Sequence, residues 1–249
     1  MKSIVVSMIA ALALPLVAVA EHEEKKLSPQ MIRTMVEYKL IQDKISKDDL
    51  IKIDVQDGVV SLSGTVENMG QLRRAEKIAY GVSGVHSVKN GLKVDMRGDM
   101  PDQKIADSVA SAIRGSVWFD IFDWVEGNVK DGKVTLRGAV REPWRRGEYE
   151  RLAEGLRGVA QVDNQIVALP LSPFDDQLRI VIAQNIYGSP QFTRYANRSL
   201  PPIHILVENG KVTLKGAVNS QLEKQLAGVI ANQTQAFAVE NQLVVDGKG

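Results

Sequence analysis

One seven-residue phrase occurs three times in this chain: Gly58-Val-Val-Ser-Leu-Ser-Gly64, Gly132-Lys-Val-Thr-Leu-Arg-Gly138 and Gly210-Lys-Val-Thr-Leu-Lys-Gly216. Asp or Asn precedes the first glycine each time, and the copies recur after 74 and then 78 residues. A length of 249 residues suits one or two average domains. Self-similarity at this period requires three small units instead. Units of about 70 residues bury limited apolar surface alone, so contacts between copies are expected to add stability.

Each copy carries the same five elements. The first is a helix. Ile32, Met35, Val36 and Leu40 follow Ser28-Pro29; Ile105, Val109, Ala112 and Ile113 follow Pro101-Asp102; Leu178, Val181, Ile182 and Ile186 follow Ser172-Pro173. Spacings of three and four put one apolar stripe on a helix. Ser or Asp can cap its free amides, and Pro is tolerated in the first turn. A hairpin follows, with Ile51, Ile53 and Val55 alternating with polar residues. Asp57-Gly58, Asp131-Gly132 and Asn209-Gly210 supply turns that accept positive φ at both central positions. Gly64, Gly138 and Gly216 mark a close backbone approach, and the expected neighbour is the helix that follows. That second helix runs from about Asn68 to Tyr80 with Leu72, Ala75, Ile78 and Ala79 inward. In the third copy it runs from about Ser220 to Asn232 with Leu222, Leu226, Val229 and Ile230 inward. A last strand carries Gly84-Val85-x-x-Val88-x-Asn90-x-Leu92, Gly158-Val159-x-x-Val162-x-Asn164-x-Ile166 and the shorter Ala236-Phe237-x-Val239-x-Asn241-x-Leu243.

The expected class is α+β: three tandem αββαβ domains over 28–96, 100–169 and 172–246, each with two helices on one face of a three-stranded mixed sheet. The joints at residues 97–100 and 169–172 are short, which limits the freedom of the units. Met1-Lys2, the apolar run Ile4 to Val17 and Ala18-Val19-Ala20 form the three-part pattern of a secretory signal peptide over 1–20, with cleavage expected after Ala20. A polar tail, 21–27, follows. The apolar run is short for an anchor, which needs about 20 residues, so the mature chain is expected to lack a transmembrane segment.

Charge and composition narrow the function. The net charge is +1, and the units carry +2 (28–98), −2 (99–170) and +1 (171–249), far from the basic footprint of a nucleic-acid binder. There is no cysteine, which removes disulfides and thiolate chemistry. His22, His86 and His204 are scattered without ligand spacing, so no metal site is expected. No nucleophile elbow or phosphate loop occurs, so neither a catalytic site nor a cofactor is expected.

The phrase x-Asp/Asn-Gly-x-Val-x-Leu-x-Gly-x-Val, followed by Gly-Val-x-x-Val-x-Asn-x-Leu, resembles the BON domain (bacterial OsmY and nodulation domain). The strand glycine and the Asn stand 26, 26 and 25 residues apart in the three copies. The resemblance spans nearly the whole mature chain. It implies a periplasmic protein of the osmotic or envelope-stress type that binds phospholipid surfaces without enzyme activity. The third copy departs from it, with Ala236 in place of a glycine and an extended loop over 188–202.

Two surfaces stand out. Arg141, Trp144, Arg145, Arg146 and Arg151, with the weaker set Arg73, Arg74 and Lys77, suit a lipid interface, where rings sit at head-group depth and Arg meets phosphate. Glu142, Glu148, Glu150 and Glu154 favour instead a solvated helix face with Glu–Arg pairs. Trp118, Phe119, Phe122 and Trp124 suit a contact between domains, or a membrane or client-protein surface. Phe192 and Tyr195 are expected to cover the edge of the third core. The expected partners are thus a phospholipid surface or, as the alternative, other envelope proteins held by a chaperone-like or scaffold protein.

Overall fold

Three small mixed sheets repeat one order, with the middle strand of each phrase at the centre. The computed structural model describes residues 27–45, 51–95 and 100–246. The segment expected to be a leader, 1–20, most of the tail expected after it and residues 97–99 of the first joint lie outside them. The first unit runs α1 (Pro29–Gln42), β1 (Ile51–Gln56), β2 (Val59–Val66), α2 (Met69–Tyr80), β3 (Ser87–Val94). The second runs α3 (Asp102–Arg114), β4 (Trp124–Lys130), β5 (Lys133–Val140), α4 (Arg145–Glu154), β6 (Gln161–Ala168). The third runs α5 (Pro173–Tyr187), α6 (Thr193–Ala196), β7 (Ile203–Glu208), β8 (Lys211–Val218), α7 (Gln221–Asn232), β9 (Ala238–Asn241), β10 (Val244–Val245). The hairpin pairs β1/β2, β4/β5 and β7/β8 are antiparallel. The last strand returns parallel to the centre, as β3 on β2, β6 on β5, and β9 with β10 on β8. The architecture is α+β, and the third sheet counts four strands because its last strand is broken.

The apolar stripes close three separate cores. Ile32, Val36 and Leu40 face the first sheet, Ile105, Val109 and Ile113 the second, and Leu178, Ile182 and Ile186 the third. Ser28 and Ser172 cap α1 and α5 by accepting the N–H of Met31 and Asp175, each at 3.2 Å. Asp102 does not cap α3. Its carboxylate accepts the N–H groups of Asp131 and Gly132 at 2.8 and 3.2 Å, so the first helix holds the hairpin turn of its own unit. Asp175 does the same for Asn209 and Gly210 at 2.9 and 2.8 Å. The turns have positive φ at both central residues, for example 50° at Asp131 and 71° at Gly132.

Two sequence expectations need correction. The strand glycines admit the neighbouring strand, not the helix. Gly138 has φ +134°, and a Cβ there would lie 1.9 Å from the carbonyl oxygen of Trp124, where β4 begins. Gly216 repeats this against the carbonyl of Pro202 at 1.8 Å. The inward face of α7 also differs from the expected one. Leu222 and Val229 are exposed, while Glu223, Ala227, Gly228 and Ala231 are buried. Small side chains let the helix backbone sit close to the sheet. The same positions, eleven and fifteen residues after the strand glycine, hold Ala75 and Ala79 in α2 and Tyr149 and Ala153 in α4, all buried.

The Asn of the last strand clamps that helix to the sheet. Asn90 Nδ2 donates to the Leu72 carbonyl at 3.2 Å, Asn164 to that of Arg146 at 2.9 Å and Asn241 to that of Lys224 at 2.6 Å. Each side-chain oxygen accepts the N–H two residues on. Glu76 and Glu150 give the first two amides a second acceptor at 3.1 Å. In α7 Gly228 stands at that position, and a Cβ there would come within 2.8 Å of Asn241 Nδ2.

Two glycine substitutions should have opposite signs. Gly138→Ala combines a forbidden φ with backbone overlap and should destabilise by about 2–4 kcal/mol. Gly147→Ala, in α4 with nothing within 4 Å of the added Cβ, should stabilise by about 0.5–1 kcal/mol. Urea denaturation of the two variants checks both.

Candidate functional site

The segment between α3 and β4, residues 115–123, is irregular, and it carries most of the chemistry of the second unit. It ends on Asp123, whose side chain is fully buried. Its carboxylate accepts the Tyr149 hydroxyl at 2.6 Å, Arg145 Nη1 at 2.7 Å and the Arg141 N–H at 3.0 Å. Arg145 Nη1 also meets Asp120 at 3.0 Å. Burial pushes the Asp123 carboxyl above its ordinary value, opposed by the hydrogen bonds of Tyr149 and Arg145. Burial works against the Arg145 charge, but the hydrogen bond and charge of Asp123 outweigh it and hold the guanidinium above its usual value. Burial, then the Asp123 carboxylate, pushes the Tyr149 hydroxyl up as well.

The same segment grips the third unit. The Ile205 N–H donates to the Ile121 carbonyl at 2.7 Å, and His204 Nδ1 lies 2.6 Å from the Asp123 carbonyl. Those bonds cover part of the free edge of β7. His204 is buried between Phe119 and Trp124, with ring centroids at 5.5 and 5.1 Å. Phe122 packs on the third core. Leu169, Leu206 and Ala139 form a small apolar cluster with Trp124. Arg141 Nε reaches Asp176 at 3.1 Å, and Asp176 also holds buried Arg179 at 2.6 Å. Burial pushes the His204 imidazole below its ordinary value, opposed by the carbonyls of Asp123 and Asp120.

The first unit meets the second through α2 and α4. Asn68 caps α2 by accepting the Gln71 N–H, and its amide donates to the Gly155 carbonyl at 3.1 Å. The Met69 N–H donates to the Val159 carbonyl at 2.9 Å and the Gly158 N–H to that of Glu67 at 3.2 Å. Arg73 reaches Glu154 at 2.9 Å and Glu150 at 3.8 Å.

The basic residues read as one lipid-facing set therefore separate. Arg145 is a correction, because its guanidinium points into the second unit rather than outward. Arg141 and Arg73 are spent on the junctions with the third unit and between the first and second. Arg151 pairs with Glu148 at 2.7 Å and Arg74 lies 3.8 Å from Asp43, both exposed. Lys77 lines a shallow pocket with Tyr80 and His86. Arg146 is exposed. Trp144 lies edge-on to Trp118 at 5.2 Å, and both rings are about half exposed. The Asp123 network went unseen in the sequence, since no periodicity marks a carboxylate in an irregular segment. In the third unit Phe192 and Tyr195 are fully buried in the core itself. The Tyr195 hydroxyl donates to Glu223 at 2.8 Å and accepts the Asn219 N–H at 2.9 Å, and Arg194 pairs with Glu223. His86 and His204 sit in different units, and His22 lies outside the described residues. Among the described residues, no three acidic or His side chains gather to hold a metal ion.

Asp123→Ala leaves the buried Arg145 guanidinium with only the partly exposed Asp120 carboxylate and orphans the Tyr149 hydroxyl, and should lower stability by about 3–5 kcal/mol, read by thermal or urea denaturation. The pH response has two parts. A His204 value depressed by folding gives stability present above about pH 6.5 and lost as pH falls below it. A raised Asp123 value acts in the opposite direction, adding stability as pH falls. Between about pH 7 and pH 5 the wild-type melting midpoint should therefore drop more than that of His204→Gln, read by scanning calorimetry.

The BON domain profile matches residues 30–96, 101–170 and 192–247. The third match begins at Phe192 and leaves α5 outside. A 58-residue stretch is 50% identical to Osmotically-inducible protein Y of Escherichia coli (strain K12), covering 23% of this chain and 29% of that protein. The chain thus matches under a third of that relative's length. Two solved structures of CdsD, a structural protein of the type III secretion system of Chlamydia trachomatis, are each 15% identical. They cover 86% of this chain and 96% and 91% of theirs, with TM-scores of 0.24 and 0.25. With three matches in series over more than half of its length, the chain belongs to the BON domain family.

Proposed function

We propose that this is an exported, non-enzymatic envelope protein of the osmotic-stress type that associates with anionic phospholipid surfaces. The observation that carries the reading is the Trp118–Trp144 pair. Two half-exposed indoles touch edge to edge, Val117, next to Trp118 in sequence, is almost fully exposed, and Arg146, two residues after Trp144, is exposed as well. Indole rings favour the head-group layer, and an exposed guanidinium on the same helix start can meet lipid phosphate. Export is supported by the leader pattern over 1–20, and the osmotic role by the stretch shared with Osmotically-inducible protein Y. The units are held in fixed relation by the hydrogen bonds at both junctions, so weak contacts from more than one unit reinforce each other through effective concentration.

A second reading, binding of other envelope proteins, rests on Phe174 and Phe237. Their rings stack at 5.7 Å on the surface of the third unit, and Phe237 is 77% exposed. Ring contacts to a client protein would be insensitive to salt, whereas lipid binding through Arg146 would not.

Flotation with vesicles of phosphatidylglycerol and phosphatidylethanolamine at low salt separates them. The protein should rise with the lipid, and 0.5 M salt should release it. Trp118→Ser with Trp144→Ser should reduce the bound fraction, and Arg146→Gln should weaken binding about fivefold, as expected for about 1 kcal/mol per basic residue. Absence of protein from the lipid fraction at low salt would falsify the lipid reading. Equal binding by the indole variants would move it off this patch.

A further inference from the structure

We infer that the cleft between the second and third units is a binding site for a single-chain amphiphilic anion, a molecule with one acyl chain and a carboxylate or phosphate head. The cleft encloses about 690 Å³, within the range of sites that take small organic ligands, which favour domain junctions. One wall is the start of β4 and the end of α3; the other is the start of β7 with β8 and β10.

Its lining is mostly apolar. Trp124, Phe119 and His204 present ring surfaces at the junction, and Pro201, Ala217 and Val244 continue the apolar wall. Two cations stand on it. Lys215 Nζ lies 5.6 Å from the Trp124 ring centroid, and Arg114 is exposed at the end of α3. Among the described residues neither has a carboxylate partner in an ion pair, unlike Arg73, Arg141, Arg145 and Arg179. Among the described residues Glu126 is the one carboxylate on the lining, and it accepts the Trp124 indole N–H at 2.8 Å, which fixes the ring. An apolar cleft bearing two cations without a carboxylate partner selects a ligand with the matching division: an anionic head for Arg114 and Lys215, and a hydrocarbon chain against the rings and prolines.

The cleft is also built rather than incidental. Its walls are held by the Ile205–Ile121 and His204–Asp123 hydrogen bonds and by the Arg141–Asp176 pair. Preformed walls spare a ligand the cost of ordering them. The site shares no residue with the Trp118–Trp144 patch, so it stands whether or not the chain binds vesicles.

Titration calorimetry of the full chain with dodecanoate and with lauroyl lysophosphatidylglycerol, both below micelle formation, tests the assignment. Saturable binding of either at one site per chain supports it, and their relative affinity distinguishes a carboxylate from a phosphate head. Octanoate should bind about tenfold more weakly or worse, because fewer methylenes are buried. The double variant Arg114→Glu, Lys215→Glu should weaken dodecanoate about tenfold, as expected when opposed charges replace attractive ones, and leave dodecanol within about twofold. Ala217→Trp should abolish binding of both, with its melting midpoint measured as the check on folding. No saturable binding of either amphiphile by the wild type overturns the proposal. So does equal affinity for inorganic phosphate and dodecanoate, which would leave a plain anion site, or unchanged dodecanoate affinity in the charge-reversed variant.

Discussion

A carboxylate removed from water must be matched by charge and hydrogen bonds, or burial becomes prohibitive. Asp123 meets that demand with three donors from the second unit, on Arg141, Arg145 and Tyr149. The donors come from both ends of the stretch linking β5 to α4 and from α4 itself. One side chain therefore fixes where the second helix lies, how the strand preceding it ends, and how the irregular segment before β4 is folded. The backbone of the same residue then faces outward to hold His204. The interior of one unit and the placement of the next hang on the same residue.

The shared framework and the individual features of the units do different work. Asn90, Asn164 and Asn241 clamp helix to sheet alike, and the paired glycine turns are alike. Asp102 and Asp175 tie helix to turn in two units, while the first has Pro29 at that position. Differences accumulate where units touch. The second unit has the irregular segment that reaches the third, and the first and second meet through the ends and faces of α2 and α4. Duplication supplied the fold, and divergence between the copies supplied the joints.

The repeat made the fold legible. Turn glycines, helix stripes and the parallel last strand all follow from patterns with a fixed period. Legibility ended where burial departs from hydrophobicity. Leu222 and Val229 looked inward because they are apolar, yet Ala227 and Ala231 occupy the inner face because the helix lies too close for larger residues. Aligning them with Ala75 and Ala79 would have revealed this. Arg145 looked like a surface charge, and no sequence signal announces that a carboxylate from an irregular segment will draw it inside. Phe119, Phe122 and Trp124 suited a contact between domains, but nothing in the sequence named His204, 81 residues from Asp123, as part of it.

The covering of β7 by the segment at Ile121 also gives the array a direction. A strand edge with open N–H groups invites pairing with other chains. Here the cover belongs to the unit made earlier, so a chain emerging from its N-terminus has the cover in place before the vulnerable edge appears. The reverse arrangement would leave that edge waiting for its partner during synthesis. Order along the chain, and not just the final packing, thus protects the third unit from misassociation.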